Sequence, residues 1–518
     1  PIVTKGIIGI LGENGTGKTT AIKILSGQIK PNLGKEKAEW NEIMKMYRGT
    51  ELYNYLKMLA ENKIKVAYKS QQPDEILKVC NSINELEIKE EFFERLKINE
   101  KEKNLSELSG GELQKGCLAV ALSKDADIYF LDEPSTFLDI KERLNVAKVI
   151  REFSEKEEKS IVLIEHDLAV LDYLADRIHI TYGEPGAFGI VSNSYSTKQG
   201  INSFLNGYIR DENARIGEPI RFIETEEKRE WKDVLVSFSK LEKKFENFSL
   251  VVEPGEIYKN EMLVIFGANS LGKTTFAKIM AGIIDFQGSI SKKIVVAYKP
   301  QYISSIESEA TVEEVLMELK EKIKKEIKSE KMSEEKESQK MQTSAKNDEQ
   351  NKEENYKSQL EEIERNFGML IEKLELTRIM KKKIKNLSGG ELQRLAIATC
   401  LLRRADLYML DEPSAYLDIK QRMNLLKIIK NLGKTIAIID HDITLLSSLS
   451  FRGMLFSGLP KIRGHAKIFG IEQALNEFLK ELNITFRVDE ETKRPKPNKP
   501  GSVKDREQKE ANKYFARS

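Results

Sequence analysis

The sequence predicts an α/β protein made of two P-loop nucleotide-binding domains in tandem. Three observations lead there. The chain has 518 residues, too many for one hydrophobic core. It repeats itself: GENGTGKTT at 12–20 returns as GANSLGKTT at 267–275, LSGGELQ at 108–114 returns at 387–393, IYFLDEPSTFLD at 128–139 returns as LYMLDEPSAYLD at 407–418, and LIEHD at 163–167 returns as IIDHD at 438–442. Four blocks in one order mean a duplicated domain. Finally, each repeat opens on an apolar strand, a Gly-rich turn and an apolar-periodic helix, the context that makes a Gly-rich pattern a phosphate loop.

In the first loop, Gly12, Asn14, Gly15 and Gly17 let backbone N–H groups face phosphate oxygens, and the helix that follows adds its positive dipole end. Lys18 is expected to reach the β- and γ-phosphates of ATP, Thr19 to ligate Mg²⁺, and Thr20 to extend the cradle. Gly267, Asn269, Gly272, Lys273, Thr274 and Thr275 repeat the set, with Ser270 standing where the first loop has Gly15. Gln71 and Gln301 follow apolar strands and are placed to complete a Mg²⁺ shell, with Gln72 a rival for the first position. The strands at 128–132 and 407–411 each end in paired carboxylates. Asp132 and Asp411 are expected to hold Mg²⁺. Glu133 and Glu412 are expected to polarise the water that attacks a γ-phosphate. His166 and His441 follow the next apolar strand, where an imidazole touches the γ-phosphate and its water. The chain has four His; His179 and His465 read as structural.

Ser109 to Glu133 and Ser388 to Glu412 are both 24 residues, so the catalytic frame is constant while insertions hang from it. In the first domain, 1–181, the insertion at 36–62 reads as a helix–loop–helix, its apolar residues at helical spacing and Arg48, Gly49 and Thr50 breaking the pattern. In the second, 229–456, the insertion at 319–362 is rich in Lys, Glu, Ser, Gln and Asn and is expected to be a solvated, disordered excursion. Residues 182–228 form a hinge and 457–518 a second hinge segment and tail. Charged residues make up 32% and the net charge is +2, so overall charge does not mark a nucleic-acid binder. No run of roughly 18 uncharged apolar residues occurs, so no membrane partner is expected and a cytoplasmic setting is. Cys80, Cys117 and Cys400 have no metal-like spacing and read as buried free thiols. The chain opens at Pro1 on the strand that feeds the phosphate loop, which suggests that an N-terminal piece is missing.

These motifs resemble the ATP-binding-cassette superfamily, of which LSGGELQ is the signature. The resemblance implies two cassettes in head-to-tail arrangement, each ATP held by one domain's phosphate loop and the other's signature. Lys18 would work with Ser388, Gly389, Gly390 and Glu391, and Lys273 with Ser109, Gly110, Gly111 and Glu112. Asp139 and Asp418 would cross the seam and couple the sites. The hinge at 182–216 and the tail at 475–515 resemble subfamily E, the ribosome-recycling ATPases also called the RNase L inhibitor family, and so does the 36–62 hairpin. That family implies an ATPase that binds ribosomes after termination or rescue and splits them, linking recycling to initiation. Its partners are the small subunit, rRNA and ribosomal proteins, a release or rescue factor, and initiation factors. A nucleotide-gated subunit-binding factor with slow turnover is the alternative. Phe238 stands where an aromatic should stack on adenine, with packing in an ordinary strand as the other reading. The run from Lys493 to Lys499 reads either as an rRNA phosphate contact or as a solvated basic tail. The family also carries an N-terminal domain with two iron–sulfur clusters, for which this chain has no ligands.

Overall fold

A computed structural model describes residues 5–36, 38–78, 80–98, 103–222, 233–301, 308–340, 346–449 and 451–516. Contacts divide the chain into two compact units. The first comprises Pro1–Glu224, Asp418–Lys420 and Leu479–Ser518, the second Thr225–Leu417 and Gln421–Phe478.

The first unit is built on a six-stranded sheet in the order Val66–Lys69, Ile128–Asp132, Ser160–Ile164, Gly6–Gly12, Arg177–Glu184 and Phe188–Ser196. All neighbours are parallel except the last pair. Its inner strands are near-continuous apolar runs because both faces are covered, as a parallel sheet requires: every residue of Ile128–Asp132 is buried. The antiparallel last strand carries the chain expected as hinge back onto the sheet, so the hinge at 182–222 belongs to the first unit rather than standing apart from it. The helices have local causes. Asp167 accepts from the N–H groups of Ala169 and Val170 to start Leu168–Leu174, and Ser196 caps Thr197–Leu205.

Residues 40–60 form the helices Trp40–Met46 and Glu51–Ala60, the second capped by Thr50. Ile43, Tyr55 and Leu56 are buried in the same cluster as Ile8, Ile22 and Phe130, and the Tyr55 hydroxyl donates to Leu25 O.

The second unit repeats the plan in eight strands: Leu241–Lys244, Ser249–Val252, Arg463–Gly470, Arg452–Leu459, Met262–Gly267, Ile436–Ile439, Leu407–Asp411 and Val296–Lys299. The insertion at 319–362 departs from its expectation. It is not an irregular excursion but part of two helices, Val312–Lys340 and Lys346–Lys373, with 341–345 outside the described residues. Glu and Lys are good helix formers without help from a core, and the root supplies the packing that a solvated helix lacks. Ile323, Ile327, Phe367 and Leu370 are buried there, and Glu364 accepts from Lys320 and, at 3.0 Å, from Lys324.

The segment expected as one tail, 457–518, is divided. Its strand Arg463–Gly470 completes the second unit's sheet. Residues 479–516 belong to the first unit, where Phe486–Val488 pairs with Pro495–Pro497 and Phe515–Ala516. Arg494, 3% exposed, donates to Leu168 O at 3.3 Å and to Asp172 Oδ2 at 3.1 Å. Lys496 pairs with Asp489. Arg494 and Lys496 of the Lys493–Lys499 run are therefore occupied inside the fold, so the run is not a tail solvated throughout, while Lys493 and Lys499 are exposed.

Candidate ATP sites

Parallel strands deliver the candidate residues to one edge of each sheet. The phosphate loop, Glu133, His166 and Gln71 all follow the carboxyl ends of neighbouring strands, the edge where open α/β sheets bind ligands. The second unit does the same with its loop, Glu412, His441 and Gln301.

Gly17 (φ 84°) and Gly272 (φ 96°) precede the helices Lys18–Leu25 and Lys273–Met280 in the left-handed region. Ser270 adopts φ 60° beside 81° for Gly15, so the serine keeps the conformation of the glycine it replaces. Lys18 Nζ donates to Gly12 O and Glu13 O, both at 2.8 Å. Lys273 Nζ donates to Gly267 O at 2.9 Å and Ala268 O at 2.8 Å. Burial pulls the Lys18 ammonium below its ordinary value, a bias that a phosphate opposes.

Asp132 is fully buried, and among the described residues neither of its carboxylate oxygens has a hydrogen-bond partner within normal reach, with the Thr19 hydroxyl acting on it from nearby. Burial and the neighbouring Glu133 raise it to about 6. A buried carboxylate left unpaired at the carboxyl end of a strand fits a divalent cation. Mg²⁺ needs one or two carboxylates and takes its other ligands from phosphate and water. In the second unit Asp411 accepts from Thr274 Oγ1 at 2.8 Å and from Tyr298 Oη at 3.2 Å. This brings together the hydroxyl and the carboxylate expected to share the ion.

Burial pushes Glu133 up, but His166, Thr136 and Lys18 outweigh it and hold the carboxyl at about 2. His166 Nε2 lies 3.4 Å from Glu133 Oε1, and His441 Nε2 lies 3.6 Å from Glu412 Oε1. Gln71 Nε2 donates to Glu133 Oε1 at 2.7 Å and Gln301 Nε2 to Glu412 Oε1 at 2.6 Å. Gln71 and its rival Gln72 are both exposed, and Gln71 is the one bonded to the glutamate. Both glutamates have left-handed backbones, φ 47° and 48°, a conformation that costs an L-residue roughly 1–2 kcal/mol.

Ser109 caps the helix Gly110–Ser123 and Ser388 caps Gly389–Leu402, each in a capping box with Glu112 or Glu391. The serines and first amides thus stand at helix N-termini. A Cβ on Gly390 would lie 2.9 Å from Tyr416 O, which explains a glycine there. Asp139 caps Ile140–Lys156 through Glu142 N at 2.9 Å, and Asp418 is buried just before Ile419–Asn431.

Phe238 does not offer a stacking face. It is 4% exposed, lies in the second unit's core and packs edge-to-face on Phe276, because the strand Val234–Phe238 turns it inward. An exposed aromatic on the hairpin 241–252 is Phe245, 48% exposed, with its ring centre 6.3 Å from that of Phe248. Its neighbour Phe248 approaches the phosphate loop so closely that a Cβ on Gly272 would lie 3.0 Å from Phe248 Cζ. Phe245 and Phe248 end a strand hairpin, where period-two patterning gives no signal.

Sequence reasoning also missed a scaffold. Ser135 Oγ donates to Glu165 Oε2 at 2.7 Å, and Glu165 Oε1 accepts the His166 N–H at 2.9 Å. Ser414, Asp440 and the His441 N–H repeat this at 2.8 and 2.7 Å. Both sets lie inside the repeated blocks, which was the available signal. Lys69 and Lys299 form another pair, each donating to the backbone of the paired carboxylates; burial brings both ammoniums down to about 8. His179 Nδ1 donates to Ser192 O and His465 pairs with Glu253. The cysteines are free thiols; Cys400 is buried, whereas Cys80 and Cys117 are half-buried.

Comparison with known proteins accords with this geometry. The ABC transporter family model matches residues 2–136 and 253–415. The chain is 40% identical to an uncharacterized ABC transporter ATP-binding protein of Methanocaldococcus jannaschii, over 98% of this chain and 81% of that protein. It belongs to the ATP-binding-cassette family. Within that family it is 35% identical to translation initiation factor RLI1 of Saccharomyces cerevisiae, covering 98% and 82% of the two chains. Among solved structures it is similar to an RNase-L inhibitor, with 41% identity, a TM-score of 0.83 and 100% and 96% coverage. The same figures hold for an archaeal ribosome recycling factor, aABCE1, solved with the archaeal ribosomal stalk protein aP1. The cassettes therefore belong to the RNase L inhibitor branch, and the protein is an ATPase that binds ATP and Mg²⁺. Among the described residues no helix is long and apolar enough to cross a membrane.

Proposed function

We propose that this ATPase binds ribosomes after termination or rescue and splits them into subunits, linking recycling to initiation. The observation that carries the reading is the completeness of both sites: each unit brings a phosphate loop, a pair of adjacent carboxylates, a Gln and a His to one sheet edge. This occurs in a chain whose relatives include a ribosome recycling factor and a translation initiation factor. The small subunit, rRNA, ribosomal proteins, a release or rescue factor and initiation factors are its partners, and the cytoplasm its setting.

The phosphate-loop amides and Lys18 or Lys273 bind and orient the triphosphate. Asp132 or Asp411, with Thr19 or Thr274 and Gln71 or Gln301, would hold Mg²⁺, which supplies charge neutralisation on the phosphates. Glu133, its carboxyl held at about 2, and its counterpart Glu412 accept the proton of a water aligned on the γ-phosphate, and His166 and His441 hold that water's position. Glu133's low value makes it a positioning acceptor more than a strong base, which suits a transition state with little need for proton removal at attack. Phe245 offers adenine a stacking face in the second unit. Ser109, Gly110 and Gly111, and Ser388, Gly389 and Gly390, present helix N-termini suited to a γ-phosphate of the other cassette. In that head-to-tail closure, Asp139 and Asp418 couple the sites. ATP then favours the closed pair and hydrolysis releases it.

The test is steady-state ATPase and subunit splitting by sucrose gradient, with and without ribosomes. Ribosomes should raise turnover, and Glu133→Gln with Glu412→Gln should lower it by a hundredfold or more while leaving a ribosome-bound form. Turnover indifferent to ribosomes, with stable subunit binding, would favour the slow binding factor. Retained turnover in the double variant would remove these glutamates from the chemistry.

A further inference from the structure

Each catalytic glutamate sits in a left-handed turn whose peptide groups are gripped by the same side chains in both units. Lys69, 2% exposed, donates to Asp132 O at 3.0 Å and Glu133 O at 3.4 Å. Lys299, 1% exposed, donates to Asp411 O at 2.8 Å and Glu412 O at 3.4 Å. From the signature helices, Gln114 Nε2 reaches Glu133 O at 2.6 Å and Gln393 Nε2 reaches Glu412 O at 2.7 Å. The lysine also lies two residues before the glutamine that binds the glutamate's carboxylate. One short stretch, 66–71 or 296–301, therefore holds the glutamate at its backbone and at its side chain.

A buried ammonium spent on main-chain carbonyls is a costly way to fill space, since an apolar chain of equal volume needs no desolvation. Its value is geometric. The two carbonyls fix the planes of the peptides leaving Asp132 and Glu133, and those planes aim the glutamate's side chain. A misplacement of about 1 Å in a reacting group can lower a rate by about a hundredfold.

We propose that Lys69 and Lys299, with Gln114 and Gln393, are positioning residues for hydrolysis, pinning the strained turn that aims each catalytic glutamate at its water. The inference rests on Glu133 and Glu412 being the catalytic carboxylates. It also gives the turn two inputs, the glutamine stretch and the signature helix, so a displacement of either reaches the glutamate's backbone directly.

The experiment uses the full chain carrying Lys69→Met and Lys299→Met, alone and with Glu133→Gln and Glu412→Gln, measuring kcat, KM, binding of a fluorescent ATP analogue and Tm. The expected result is a kcat lowered 10- to 100-fold with KM and analogue binding within threefold, and no further loss when the lysine changes join the glutamine variants. A loss that appears equally in kcat and analogue binding, or that persists in the glutamine background, would show a structural cation only and overturn the proposal; so would an unchanged kcat. If the methionine variants do not fold, Gln114→Leu with Gln393→Leu removes the neutral half of the same grip. It should lower kcat at least threefold at unchanged KM, and no change in kcat overturns the proposal there as well. Unchanged turnover in Glu133→Gln, Glu412→Gln alone would instead remove the catalytic assignment on which the inference stands, a result distinguishable from the others.

Discussion

An aromatic side chain can serve a nucleotide only if one of its faces is free, and at this scale Phe238 and Phe245 separate cleanly. Phe238 fills the core beside Phe276, whereas Phe245 is nearly half exposed and carries Lys243 5.5 Å from its ring centre. Phe238→Ala should therefore leave a cavity and lower stability by about 3–5 kcal/mol, read in a denaturant melt. Phe245→Ala should leave the melt within about 0.5 kcal/mol. It should also weaken adenine-nucleotide binding in the second unit several-fold, since stacking on a base is worth about 1–3 kcal/mol. Titration with ATP and with inorganic tripolyphosphate distinguishes the two roles: only the adenine-bearing ligand should lose affinity. Equal loss for both would remove Phe245 from base recognition.

At the scale of elements, the helices Val312–Lys340 and Lys346–Lys373 divide into a root and an outer part. The buried Ile323, Ile327, Phe367 and Leu370 and the Glu330–Arg404 pair belong to the root. Replacing 333–353 by a short Gly/Ser loop should move Tm by less than about 2 °C and leave basal turnover unchanged. Ile327→Ala with Phe367→Ala should lower stability by about 4 kcal/mol or more, checked by the same melt. These helices also show where sequence legibility ended. The phosphate loops, carboxylate strands and signature caps were readable because each carries a residue type that only its backbone or chemistry requires, such as Gly17 at φ 84°. The insertion was not, because its stabilising apolar residues are few and lie at the two ends of a charged stretch, where they look like a disordered composition. Lys69 and Gln114 were illegible for another reason. A Lys ending a strand and a Gln inside a helix are ordinary surface residues until the fold turns both onto Glu133 O. Phe238 stayed open between stacking and core packing because one aromatic in a strand cannot declare which face it occupies.

Over the whole molecule the chain leaves the first unit near residue 224, builds the second except for Asp418–Lys420, and returns to the first from Leu479 onward. The returning segment is held by charge buried under its own small sheet. Asp489 accepts from Thr492 N at 3.1 Å and Thr492 Oγ1 at 3.0 Å and pairs with Lys496, while Arg494 reaches Leu168 O and Asp172. Burial alone would raise the Asp489 carboxyl, but Lys496 and Thr492 prevail and hold it well below the usual carboxylate range. A carboxylate whose folded value is depressed stabilises fully above its unfolded value, near 3.9, and that stabilisation is lost as pH falls below it. Asp489→Asn should therefore loosen residues 479–516 by about 2 kcal/mol at pH 7, seen as faster amide exchange confined to this segment and its contacts at 168–172. The difference between the variant and the parent, after correction for intrinsic exchange at each pH, should shrink steadily below pH 4. A difference that stays constant down to pH 2 would mean that the segment is docked by its apolar residues, Phe486 and Phe515, and not by this charge.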